Sequence, residues 1–175
     1  MQVSVDVDER TLREIYLPAF ERTVTETQPA TIMSAYNKIN GVYASENRWL
    51  LTDVLRDEWA FAGVVVSDWG ALDDRLAALE AGHDLQMPGD RGAGNRIVVD
   101  AVKAGALDEA LVDRSARRVA ALAELVIEPT DGFDADAHHA LARELAAGCA
   151  VLLKNDRDAL PLAPGSRVAV VGEFG

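Results

Sequence analysis

The run Phe61-Ala62-Gly63-Val64-Val65-Val66-Ser67-Asp68 shows no polar alternation, so it does not read as a strand with one wet face. A strand apolar on both faces belongs in a parallel sheet covered on both sides. Parallel neighbours in turn need crossover connections long enough to hold a helix. The flanking sequence supplies them. Leu12, Ile15, Tyr16, Ala19 and Phe20 follow helical spacing behind Asp8, a candidate N-cap, and Pro18 is expected to kink that helix. Ala30-Thr31-Ile32-Met33-Ser34-Ala35-Tyr36 reads as a buried strand ending in the turn-rich Asn37-Lys38-Ile39-Asn40-Gly41. Helical periodicity recurs over Trp49 to Trp59, Leu72 to Ala81, Asn95 to Ala104 and Leu107 to Ile127, with a short strand candidate at 82–87 closed by Pro88-Gly89. Alternation of this kind implies βαβ units in a parallel sheet or barrel.

At 175 residues the chain has room for one compact domain with a sizeable core. It is short of the about 250 residues of an eight-fold β/α barrel. Pro129-Thr130-Asp131-Gly132-Phe133-Asp134 is the best linker candidate, which gives a first domain at 1–128, a linker at 129–136 and the beginning of a second domain at 137–175. In that last part Ala137 to Ala147 is expected to be helical, followed by the apolar run Val151-Leu152-Leu153. Arg167-Val168-Ala169-Val170-Val171-Gly172 is expected to form the strand that opens an α/β unit.

A hydrophobic content of 49% with 26% charged residues excludes disorder of the whole chain. Seventeen Lys and Arg stand against 29 Asp and Glu, a net charge of −12. Nucleic acid and anionic membrane surfaces are therefore excluded as partners, since phosphate binding depends on cationic side chains. The single cysteine, Cys149, offers neither a disulfide nor a thiolate metal framework and is expected to be a small buried hydrophobe. The chain as written begins with neither a basic segment nor a long apolar run, and the expected location is the cytoplasm.

The chemistry concentrates at Asp68, at the C-terminal end of the strongest strand and followed by Trp69 and Gly70. Ligands and catalytic groups gather at that end of parallel strands. A carboxylate beside an indole suits carbohydrate chemistry, the one meeting an oxocarbenium-like centre and the other packing on a sugar ring. Asp68 could equally be a strand-end carboxylate capping the next helix. Tyr36 occupies the matching end of the preceding strand and is expected to give its phenolic proton to Asp68, which favours the ionised carboxylate. Asp68, Asp73 and Asp74 also allow a rival reading, a Mg²⁺-dependent phosphotransfer site. Against it, no phosphate-cradling loop is present, and Asp73-Asp74-Arg75 suits the first turn of a helix. His83, His138 and His139 form no metal set, and Gly89-Asp90-Arg91-Gly92-Ala93-Gly94 reads as a flexible loop.

Several motifs in order carry a family resemblance over nearly the whole chain. They are Arg10-Thr11-Leu12-Arg13-Glu14-Ile15-Tyr16-Leu17-Pro18-Ala19-Phe20, Met33-Ser34-Ala35-Tyr36-Asn37, Leu50-Leu51 with Leu55-Arg56, Val66-Ser67-Asp68-Trp69-Gly70 and Ala81-Gly82-His83-Asp84-Leu85-Gln86-Met87-Pro88-Gly89. Together they resemble glycoside hydrolase family three, and Val151-Leu152-Leu153-Lys154-Asn155 with Leu160-Pro161-Leu162 resembles the start of that family's second domain. The resemblance implies an α/β chain made of the C-terminal part of a (β/α)8-type barrel followed by the start of an α/β sandwich domain. It makes Asp68 the catalytic nucleophile, with Trp69, Tyr36 and Met33 binding substrate and Asp84 structural. It implies no cofactor, no metal, and a β-glucoside or related glycoside as partner. Ala60 departs from the glycine of many relatives.

The family's Lys-His pair, Arg and Asp from earlier strands are not found in this sequence, and its acid/base group belongs to the second domain. Glu173 matches no acid/base motif. The resemblance therefore implies retaining chemistry in a truncated chain, and leaves the activity of that chain alone open. Alternatively, the chain is half of a split enzyme, self-associating or completed by a partner chain through an incomplete barrel.

Overall fold

The computed structural model describes residues 3–125 and 132–173. They fall into two compact units, Met1–Ile127 and Glu128–Gly175.

The first unit is α/β. Its central feature is the parallel pairing of β2 (Thr31–Ser34) with β5 (Val64–Ser67), in register from Thr31 opposite Val64 to Ser34 opposite Ser67. Val64 and Val65 are almost wholly buried, as the unalternated run requires. The helix Trp49–Glu58, wound with π-type hydrogen bonding, crosses between these strands and packs Leu51, Val54 and Leu55 with Leu12, Leu17, Val24, Trp59, Phe61 and Val65 into the main core. Each large side chain buried there contributes about 1.5–3 kcal/mol.

At the N-terminus Asp8 caps α1 (Glu9–Thr11), its Oδ1 accepting from Thr11 N at 2.9 Å. The chain continues as a π-helical turn over Leu12–Tyr16 and then α2 (Pro18–Thr27). Pro18 does not bend a continuous helix. It takes the first position of α2, where a missing N–H is tolerated.

A small sheet was not expected. β1 (Ser4–Val5) pairs in parallel with β3 (Lys38–Ile39), which turns back through Asn40 and Gly41 into β4 (Val42–Tyr43). Asn40 and Gly41 have φ of 50° and 86°, the left-handed pair that a two-residue hairpin demands. Asn40 also exchanges side-chain hydrogen bonds with the Val7 backbone, linking β1 to the turn.

The strand expected at 82–87 reduces to a single bridge, Leu85 opposite Val66. The reason lies in a side chain. Val65 N donates to the Asp84 carboxylate at 2.9 Å rather than to a backbone carbonyl, while Asp84 N and Leu85 N both donate to Val65 O. A ladder that gives one rung to a side chain does not continue as regular strand.

Before this segment runs α3 (Arg75–Ala81). After it come α4 (Ala93–Lys103) and α5 (Glu109–Glu124), whose Val98, Ala101 and Leu107 form a second core with Leu79. The expected ends of the last helix at 126–127, and part of the expected linker, lie outside the described residues.

The second unit holds α6 (Ala135–Cys149), capped by Asp134, with no buried residue. Cys149 is exposed rather than buried, since α6 buries none of its residues. The strand expected over Arg167–Gly172 does not form, and Val168, Val170 and Val171 stand exposed. A strand needs a neighbour for its backbone hydrogen bonds, and among the described residues of this unit none is assigned. Among the described residues no helix is long and apolar enough to cross a membrane.

Candidate active site

Asp68 follows β5 directly, its backbone N donating to Ser34 O at the end of β2 at 3.3 Å. The chain then turns sharply, Ala71 N donating back to Asp68 O at 3.0 Å. Gly70, third in this turn, has φ of 74°, a left-handed value that a side chain there would strain. The turn presents Trp69 to solvent at 57% exposure. Trp69 N donates to Asp68 Oδ1 at 2.6 Å, so one carboxylate oxygen is aimed by its own neighbour's backbone.

Tyr36 meets this turn from the end of β2. Its hydroxyl donates to Trp69 O at 2.8 Å. Sequence reasoning sent that proton to the Asp68 carboxylate. The shortest contact of that hydroxyl is with the next carbonyl, while desolvation first, and then a side-chain hydrogen bond with Asp68 and the charge of its carboxylate, hold the phenol above its ordinary pKa. Tyr36, Asp68 and Trp69 therefore share one site. Met33 stands opposite Val66 in the β2–β5 register, its side chain 55% exposed. It borders an apolar cavity of about 370 Å³ whose walls include Leu12, Phe20, Ile32, Leu51 and Trp59. Asp68, Tyr36 and Trp69 do not line that cavity, so it is a hydrophobic seat beside β2 rather than the place of the carboxylate chemistry.

The turn is pinned from its other side. Gly70 N donates to Met87 O at 3.1 Å, and Ser67 Oγ donates to Met87 O at 3.1 Å while accepting from Met87 N at 2.8 Å. Ser67 is fully buried, and its hydroxyl fixes where the chain beyond Leu85 passes the carboxylate. Nothing local in the sequence announced this role.

Beneath the site lies a buried charge cluster that sequence reasoning also missed. The Asp84 carboxylate, wholly buried, accepts from Arg56 Nη2 at 2.6 Å and Arg118 Nη1 at 3.0 Å besides Val65 N. Arg56 further donates to Phe61 O and Gly63 O, clamping the start of β5. Burial lowers the Arg56 pKa to about 10, against the opposing pull of Asp84, and leaves it charged at neutral pH. His83 is fully buried with neither ring nitrogen hydrogen-bonded among the described residues. Burial, then the charge of Arg75, bring it down to about 4 against the pull of Asp84, so it is neutral at pH 7.

Asp74, offered above as a magnesium ligand, spends its Oδ1 capping α3 through Leu76 N and Ala77 N. No group of three His, Cys, Asp or Glu side chains suited to a metal occurs among the described residues.

The model of the glycosyl hydrolase family 3 N-terminal domain matches residues 2–122. A thermostable beta-glucosidase B of Acetivibrio thermocellus is 48% identical over 99% of this chain and 23% of its own length. An exo-alpha-(1->6)-L-arabinopyranosidase of Bifidobacterium breve is 45% identical over 99% of this chain and 24% of its own. Among solved structures, beta-glucosidase 3B of Thermotoga neapolitana in complex with glucose superposes with a TM-score of 0.70 at 39% identity, covering 92% of this chain and 24% of that one. The chain thus spans about a quarter of the length of the relatives it matches.

Proposed function

The chain belongs to glycosyl hydrolase family 3, and from that premise we propose that it carries the nucleophile of a retaining hydrolase of terminal β-glucosides or related glycosides, with Asp68 as that nucleophile. The observation that supports this best is the turn after β5, which joins a carboxylate, an exposed indole and a phenol at the C-terminal ends of parallel strands. This is where α/β folds assemble their chemistry.

In the proposed reaction an Asp68 oxygen attacks the anomeric carbon as the bond to the leaving oxygen breaks, giving a glycosyl ester. Water then cleaves the ester with net retention. Trp69 N–H holds Oδ1 in position, and the Trp69 ring offers its face to the sugar. Tyr36 keeps the turn fixed through the Trp69 carbonyl, and Met33 contributes to the wall beside it. The leaving oxygen takes its proton from a second carboxyl group about 5–5.5 Å from the first, which this reading assigns to elements beyond the first unit. No cofactor or metal enters the scheme.

In this reading the first unit is the C-terminal part of a β/α barrel, residues 129–136 are the linker, and 137–175 begin a sandwich domain. Among the described residues β2 pairs only with β5 and borders the apolar cavity, which favours further β/α units beside it. Supplied by a complementing chain, those units would make this polypeptide half of a split enzyme. The test is hydrolysis of an aryl β-glucoside followed by NMR of the released sugar. First-formed β-anomer supports retention, and first-formed α-anomer overturns it.

A further inference from the structure

The β5–α3 connection, residues 68–74, is anchored at its far end by a group the scheme above leaves unused. Glu46 Oε1 accepts from Asp73 N at 3.0 Å and from Asp74 N at 2.8 Å. Next to it in the 3-10 turn Ala44–Glu46, buried Ser45 donates from Oγ to Ala71 O at 3.3 Å. These amides need an outside acceptor. They precede the first turn of α3, and Asp74's own Oδ1 is committed to Leu76 N and Ala77 N.

Resting on the reading of Asp68 as nucleophile, we propose that Glu46 is a positioning residue for Asp68 and Trp69, fixing the far end of their loop through one oxygen that binds two consecutive backbone amides. The near end is held by the Tyr36 and Met87 contacts to Trp69 and Gly70. Without Glu46 the only hydrogen bond left from the Ala44–Glu46 turn to the stretch 71–74, among the described residues, is the long Ser45 one, and the turn can pivot about its near end. Attack on an anomeric carbon is sensitive to displacements of this kind, because misplacement by about 1 Å costs up to about 100-fold in rate. The role belongs to the acceptor oxygen rather than to the charge, so glutamine at this position performs it and alanine does not.

The experiment compares the parent chain with Glu46→Ala and Glu46→Gln. Two readouts are taken: amide hydrogen exchange across 68–74, and the rate of covalent labelling of Asp68 by a 2-deoxy-2-fluoroglucosyl fluoride. Glu46→Ala is expected to exchange about tenfold faster in 68–74, with β2 and β5 unchanged, and to label about tenfold more slowly. Glu46→Gln is expected to match the parent in both. Glu46→Asp, whose shorter arm does not span both amides, replaces the alanine variant if that one unfolds. Unchanged exchange in Glu46→Ala overturns the proposal, as does faster exchange with an unchanged labelling rate. Loss of both properties in Glu46→Gln overturns the claim that the acceptor oxygen is what matters. A folded parent that is not labelled at all bears on the glycosidase reading or on the chain's need for further units, and the exchange data then decide the loop claim alone.

Discussion

The Tyr36 hydroxyl donates to the carbonyl of Trp69 at 2.8 Å, joining the ends of β2 and β5 through the residue that follows Asp68. The bond couples a phenol on one strand to the aim of a carboxylate on the next. Replacing Tyr36 with Phe removes the hydroxyl and leaves the ring. The expected result is a fold unchanged by circular dichroism and a rate of Asp68 labelling about tenfold lower. An unchanged rate would mean that the turn holds its shape without the phenol.

Asp84 and Arg56 make the strongest demand on stability. The Asp84 side chain is 0% exposed and that of Arg56 is 8% exposed, at a separation of 2.6 Å. Removing one partner of a buried pair strands the other charge, at a cost of about 3–5 kcal/mol. Asp84→Ala, which strands both Arg56 and Arg118, is expected to lose at least that much in urea unfolding. Arg118→Ala should lose less, since that side chain is 22% exposed. Equal losses from the two substitutions would contradict this ordering.

His83 gives stability a pH dependence of determinable sign. Its folded pKa, about 4, lies below its ordinary 6.5. Both states are neutral at that ring above pH 6.5, and between the two values only the unfolded chain takes up the proton. Stability therefore falls as pH drops through this window, by about 3 kcal/mol once below both values. Urea unfolding at pH 7 and pH 4.5 should show a smaller loss for His83→Leu than for the parent. An identical loss in the two proteins assigns the acid sensitivity to other groups.

Ala60 lies between Trp59 and Phe61 with φ of 56°. This left-handed value costs an L-residue about 1–2 kcal/mol, while glycine there adds about 0.5–1 kcal/mol of unfolded-state entropy. Ala60→Gly is expected to raise stability by about 0.5–1 kcal/mol, read as a higher urea midpoint, without altering Asp68 labelling.

What could be read from sequence was what neighbouring residues decide. The buried character of β5 follows from three consecutive valines, and the Asp8 cap from its place before a helical pattern. The position of Asp68 after the strand and of Asp74 at the start of α3 followed in the same way. Long-range side-chain bonds left no such trace. Asp84 meets Arg56 and Arg118 across 28 and 34 positions, and it is Asp84 that takes the Val65 N–H and cuts the expected third strand to one bridge. Glu46 reaches Asp73 and Asp74 across 27 and 28 positions, and β1 finds β3 only through the tertiary fold. The apolar run 167–172 has the composition of a strand, but composition supplies no neighbour to pair with.

The central claim is that Asp68 is the group that attacks the sugar. A 2-deoxy-2-fluoroglucosyl fluoride tests it directly, because fluoride leaves without needing a proton and the trapped ester reports the nucleophile alone. Digestion and mass spectrometry of the labelled chain should place one fluoroglucosyl group on Asp68, and Asp68→Asn should abolish it. A group mapped to any other residue, or labelling that survives in Asp68→Asn, would contradict the account.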